Sequence, residues 1–333
     1  MMKKLLNNYS TKFEYSFYCA LFRVFIALFL IKDVIITNGL KNLLYKGVEF
    51  YIPTKSFLLE ILSIDTNFIR NNFDYFNILY LIIIILYLFG VGKKFTAFML
   101  YIIFDIMQQL NSVTLNGGDN LLKFILLYMV FINSYEYFSI SKIKYKNPEF
   151  KKFDNFISNM GVLSIKLHLC LVYFLSAVHK INADVWFNGV ATYYTLSLER
   201  FRGTTFNLYI AKNAFIVLIS TYMTILIEIS YPFLIWFKKT RKILVILAIM
   251  LHISISILMM LLDFQVVFIL VQGFFFSNKE ILLTINKIKN FQKKTKKMSN
   301  PIKLKNIFKI SGIWIFIIIM LRVMYLLIKN YLL

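Results

Sequence analysis

Apolar runs long enough to cross a hydrocarbon layer recur along this 333-residue chain, parted by short connections rich in lysine. A bilayer core about 30 Å thick takes about 20 apolar residues wound as a helix. With no water there, each backbone N–H and C=O must bond within the protein. Such runs lie near 17–36, 75–90, 95–111, 121–138, 160–178, 214–237, 243–261, 263–277 and 311–328. They predict an all-α fold, a polytopic transmembrane helix bundle of about nine spans. Two of them, 75–90 and 263–277, are short for a complete crossing. The whole chain has only 11 Gly and 4 Pro, which leaves little material for linkers. Residues 1–333 therefore read as a single integral membrane domain.

The formal net charge of +22 would suit a nucleic-acid partner, but its distribution excludes one. The basic residues gather in connections, and cytoplasmic connections are the ones that keep lysine and arginine. With the N-terminus inside, segments 1–16, 90–94, 139–159, 238–242 and 278–310 hold 24 of the 38 Lys and Arg. The opposite segments, 37–74, 112–120, 179–213, 262 and 329–333, hold 9, and Arg23, Lys32, Lys123, Lys166 and Arg322 lie within runs. The bias alternates from end to end. It predicts a multi-pass protein of the cytoplasmic (inner) membrane with its N-terminus inside and its C-terminus outside. The first run contains Arg23 and no small-residue cleavage site follows it, so it reads as a retained span and not a signal peptide. Cys19 and Cys170 fall inside apolar runs and read as core residues, not as a disulfide or a zinc site.

Two connections carry features of their own. In the outer loop 37–74, Pro53-Thr54 opens a helix with Phe57, Leu58, Ile61, Leu62, Phe68 and Ile69 on one stripe. That pattern fits an interfacial helix on the outer leaflet or a lid over the bundle. Residues 279–309 form a basic cytoplasmic tether before the last span, solvated or resting on anionic headgroups.

The densest chemistry lies between Tyr173 and Tyr194, where an apolar helix gives way to His179, Lys180, Asp184, Trp186, Asn188, Gly189, Tyr193 and Tyr194. A desolvated lysine amine gives up its proton more readily and suits a general base, with the adjoining histidine as a relay. The plain alternative is a lysine that snorkels to the headgroups. Asp119, in Asn116-Gly117-Gly118-Asp119, can cap the helix that follows or face a ligand at the depth of Lys180. Ionisable groups inside a span usually face a wet cavity or a partner. Glu228 reads as a cavity residue on that ground, whereas Arg23 and Asp105 can neutralise each other. His252 and Asp263 are eleven apart, as are His168 and His179, a spacing that returns to one helix face about 16 Å further on. It lines a path and cannot place both on one metal. No HExxH, CxxC or GxGxxG occurs, so metal and nucleotide sites are not expected.

The pattern Lys180-Ile-x-x-x-x-Trp186-x-Asn188-Gly189-x-Ala191-x-Tyr193-Tyr194, with Gly117-Gly118-Asp119 before it, resembles the HTTM membrane family and within it the SdpB-like branch. That resemblance implies a role in maturing an exported antimicrobial peptide of the sporulation-delaying kind. The expected partners are a toxin precursor peptide, a small SdpA-like accessory membrane protein and the lipid bilayer. The same family includes the vitamin K-dependent γ-carboxylases, in which a segment like Val178–Trp186 carries the lysine that deprotonates a quinol. By motif position that lysine is Lys180, and a lipid quinone is the cofactor the analogy implies. Two departures stand out: His179 replaces a frequent lysine, and Val185 adds a residue before Trp186. The β-rich domain of the animal carboxylase has no counterpart here, so propeptide recognition of that kind is not expected.

Overall fold

The computed structural model describes residues 10–46, 57–110 and 115–286. The last expected span, most of the basic tether (287–309) and Pro53-Thr54 lie outside the described residues. Helices make up the fold, most joined by short turns and two by the longer loop 132–147, with no strand among the described residues. In chain order they are α1 Ser16–Gly39, α2 Phe57–Ile61, α3 Thr66–Asn71, α4 Phe73–Phe89, α5 Lys94–Leu110, α6 Gly117–Phe131 and α7 Pro148–Ile181. Then follow α8 Asp184–Phe187, α9 Ala191–Ser197, α10 Phe206–Ala211, α11 Ala214–Leu234, α12 Lys238–Met259, α13 Leu262–Val271 and α14 Asn278–Asn286. Three of these (α7, α11 and α12) are long and apolar enough to cross a membrane. A fourth crossing results if Leu262–Phe275 and α14, bent by 98°, count as one broken span.

The packing is that of a bundle: α1 lies on α4, α5 on α6, α6 on α7, α7 on α11, and α13 bridges α12 and α6. One core runs through it, from Phe22, Ile26 and Leu30 of α1 to Leu169 and Tyr173 of α7 and Tyr231 of α11.

The helices differ from the apolar runs where polar groups take over the backbone. The run 121–138 is helical only to Phe131, because the carbonyls of Ser134, Tyr137 and Phe138 point at Arg23 instead of continuing a helix. Arg23 is fully buried and donates five hydrogen bonds, to Tyr87 O, Leu88 O, Ser134 O, Tyr137 O and Phe138 O, at 2.6–3.2 Å. The guanidinium thus covers the negative C-terminal end of α4 and spends its whole fork on backbone. The expected Arg23–Asp105 pair is not formed. Buried Asp105 pairs with Lys123 of α6. Run 160–178 belongs to a helix that starts twelve residues earlier, with Pro148 in its first turn and the Asn147 side chain accepting from Glu149 N at 2.8 Å. In the described part of the 37–74 connection, residues 57–71 form two short helices, α2 and α3, in place of one. Ser63 turns through φ +50° and Asp65 caps α3 from Asn67 N, so Leu59 and Ile69 point inward while Ile61 and Phe68 stay exposed.

Candidate functional site

The last turns of α7 bring Tyr173, Ser176 and Lys180 onto one face, at intervals of three and four residues. They meet Glu228 and Tyr231 of α11. Lys180 Nζ donates to Ser176 Oγ at 2.9 Å, forms an ion pair with Glu228 Oε1, and lies 5.0 Å from the centroid of the Trp186 ring. The Lys180 side chain is 20% exposed and that of Glu228 is 9% exposed. The second carboxylate oxygen, Glu228 Oε2, is buried without a hydrogen-bond partner. Breaking such a pair by removing one member strands the other charge, which is why the two act as a unit.

A buried hydrogen-bond chain runs beneath the pair across four helical segments. Tyr231 Oη donates to Gln272 Oε1, and Gln272 Nε2 donates to Tyr173 Oη at 3.0 Å. Tyr173 Oη lies 2.6 Å from His252 Nε2, and His252 Nδ1 meets Gln265 Oε1. Since Gln265 Oε1 can only accept, Nδ1 carries the ring proton and Nε2 accepts from the tyrosine. The donors therefore run in one direction, from Tyr231 to Gln265. Lys180 acts electrostatically on His252, and Glu228 on Tyr173.

Beyond Lys180 the chain does not leave the bundle. It turns at Asn182-Ala183 and continues along α11 as α8 and α9. Tyr222 Oη donates to Phe187 O at 2.7 Å, and Thr192 Oγ1 lies 2.9 Å from Thr221 Oγ1. The corner between α8 and α9 is Gly189 at φ +73°, where a Cβ would stand 2.5 Å from Leu218 Cδ1 and 3.1 Å from the Tyr222 ring. Only glycine meets both demands. Segments α7, α8 and α9 thus meet α11 in succession. Lys180 sits at the end of α7, opposite a residue fourteen positions, about 21 Å, from the first residue of α11.

The other expected site residues separate into groups. His179, Asp184, Asn188, Tyr193 and Tyr194 are exposed. Gly189 and Tyr193 line an apolar cavity of about 470 Å³ with Ala214, Phe215 and Leu218, and Lys180 is not among its lining residues. His252 and Asp263 do not share a helix, because Met260 adopts a left-handed conformation at φ +57° and ends α12. His252 joins the chain below Lys180, and Asp263 pairs with Lys32 of α1. Asp119 does not reach Lys180. It closes a capping box with Asn116 and sits near Lys32, Asp33 and Asp263.

Sequence reasoning missed Ser176, Tyr231, Gln265 and Gln272, and gave Tyr173 no role. A signal was present: Tyr173 and Lys180 are seven apart, as are Gln265 and Gln272, and seven residues return a polar group to the same face of an apolar helix.

A family model for the HTTM domain matches residues 16–279, which is most of the chain. The chain belongs to the HTTM family. Sporulation-delaying protein SdpB of Bacillus subtilis (strain 168) is 27% identical over 240 residues, covering 68% of this chain and 69% of the relative. No solved structure matches. HTTM membership and the apolar helices together make this a multi-pass membrane protein.

Proposed function

We propose that this chain is an SdpB-like integral protein of the cytoplasmic membrane, required to produce or mature an exported antimicrobial peptide toxin. Its working centre is the Lys180–Glu228 pair. It acts with a toxin precursor peptide and a small SdpA-like accessory membrane protein, and spans the bilayer about nine times with the N-terminus inside. The supporting comparison is the similarity to SdpB over two thirds of both chains.

The observation that carries the site assignment is the ion pair itself, half-buried where α7 ends, with the buried second carboxylate oxygen unpaired. Lys180 serves as a polar anchor for the peptide or as its base. To act as a base, the amine first passes a proton to Glu228, becoming neutral as the carboxylate becomes a carboxylic acid. The free Oε2 gives that proton an oxygen to rest on away from the amine. A second reading, passage of the peptide without chemistry, draws support from the helix break at Asn182-Ala183 beside the pair, since transporters place binding groups where helices break.

Deleting the gene in its own host tests the role. Toxin activity in the culture medium should vanish while unprocessed precursor remains with the cells. Full activity from the deletion strain overturns the proposal, and fully processed toxin retained inside the cells favours the passage reading.

A further inference from the structure

Away from Lys180, two adjoining cavities open among α1, α4, α5, α6 and α13. The smaller, about 190 Å³, is lined by Asp33, Asp119, Asp263, Asn77 and Gln108 among others. The larger, about 450 Å³, has an apolar wall that includes Ile36, Phe201, Leu261 and Phe264, with Lys32 and Arg200 at its edge. Ile36, Asn116 and Asp263 belong to both. Lys32 is buried and already neutralised by Asp263 and by Asp33 at 3.2 Å. Three carboxylates therefore face the smaller cavity against one lysine, and Arg200 stands in the larger one.

A cluster of carboxylates alone would say little. The decisive groups are two amides in the same wall that are more than nine-tenths buried and lack a hydrogen-bond partner at one atom each, Asn77 Oδ1 and Gln108 Nε2. An unsatisfied buried amide atom carries a desolvation cost that a bound polar group removes. Here one free acceptor and one free donor stand beside surplus negative charge. The complement of that set is an ammonium next to a carbonyl, joined to something apolar. We propose that these cavities bind the free amino terminus of an apolar peptide. The α-ammonium sits among Asp33, Asp119 and Asn77 Oδ1, the first carbonyl accepts from Gln108 Nε2, and the first side chains lie along the larger cavity.

The site is distinct from the Lys180–Glu228 pair, so its test is a binding measurement and not toxin output. The full-length protein in phosphatidylcholine nanodiscs is titrated with the pentapeptide Leu-Val-Leu-Phe-Gly-amide, with a free amino terminus and N-acetylated. The free peptide should bind about tenfold or more tighter, the worth of one charged hydrogen bond. Asp119→Asn should erase that preference, and so should Asn77→Leu, which alters no charge and keeps the assay informative should the aspartate variant fold poorly. Equal binding of the two peptides overturns the proposal, as does a preference that survives both variants. Displacement of the free peptide when phosphatidylethanolamine replaces phosphatidylcholine also overturns it, in favour of a lipid headgroup.

Discussion

At the scale of single residues, this membrane domain handles its buried charges in two ways. Arg23 meets only backbone oxygen, and its five hydrogen bonds tie α1 to the end of α4 and to the loop after α6. A lysine has three donors on a point charge and cannot reproduce that fork. Arg23→Lys should therefore lower stability by about 2–4 kcal/mol, measured as loss of monodisperse protein on heating in detergent. Lys180 and Glu228 instead neutralise each other. Lys180→Ala or Glu228→Gln should each cost about 1–3 kcal/mol, a range discounted for partial exposure and for the modest worth of polar contacts between membrane helices. The exchange Lys180→Glu with Glu228→Lys should recover part of that loss in the same heating assay. How legible these roles were differs by residue. Lys180 stood out because it broke an apolar helix end beside His179 and Trp186. Glu228 stood out too, as a carboxylate inside an apolar run, but the pairing did not, since 48 residues separate the two and no local spacing joins them. The Arg23 arrangement was invisible for a related reason: carbonyls leave no mark on a sequence.

At the scale of elements, the interruption between α7 and α9 decides where the site lies. The sequence pattern placed a helix end near Lys180, and α7 does end at Ile181. It did not reveal that α8 and α9 continue beside α11, because the contacts that hold them there come from Thr192, Thr221 and Tyr222, ordinary helix residues. Gly189 is the readable exception. Gly189→Ala forces a positive φ on a residue with a Cβ and drives that Cβ into Leu218 and Tyr222. The expected cost is about 1–3 kcal/mol, with α8–α9 released first. Limited proteolysis should show faster cleavage within 182–198 in this variant and unchanged cleavage in the 132–147 loop. Residues 57–71 show why patterning misled there: Asp65 and Ser63 split one apparent stripe into two short helices, since a capping carboxylate starts a new helix wherever it finds free N–H groups.

At the scale of the molecule, the basic connections predict one orientation, with the 132–147 loop inside and the segment before α11 outside. In a background with Cys19 and Cys170 replaced by alanine, Lys212→Cys should react with a membrane-impermeant maleimide in intact spheroplasts, and Lys144→Cys only after lysis. The reverse pattern would invert the topology. Membrane class and the apolar cores of most helices were legible because hydrocarbon tolerates so few alternatives. Helix ends, ion-pair partners and the cavities by Lys32 were not, because contacts distant in sequence set them. The central claim is that the Lys180–Glu228 pair does the protein's work and does not merely hold helices together. Secreted toxin activity from host cells carrying chromosomal Lys180→Ala or Glu228→Gln, normalised to the protein present in the membrane, tests it most directly. The account predicts activity at the background of the deletion strain for both variants at ordinary membrane levels; normal output from either one would contradict it.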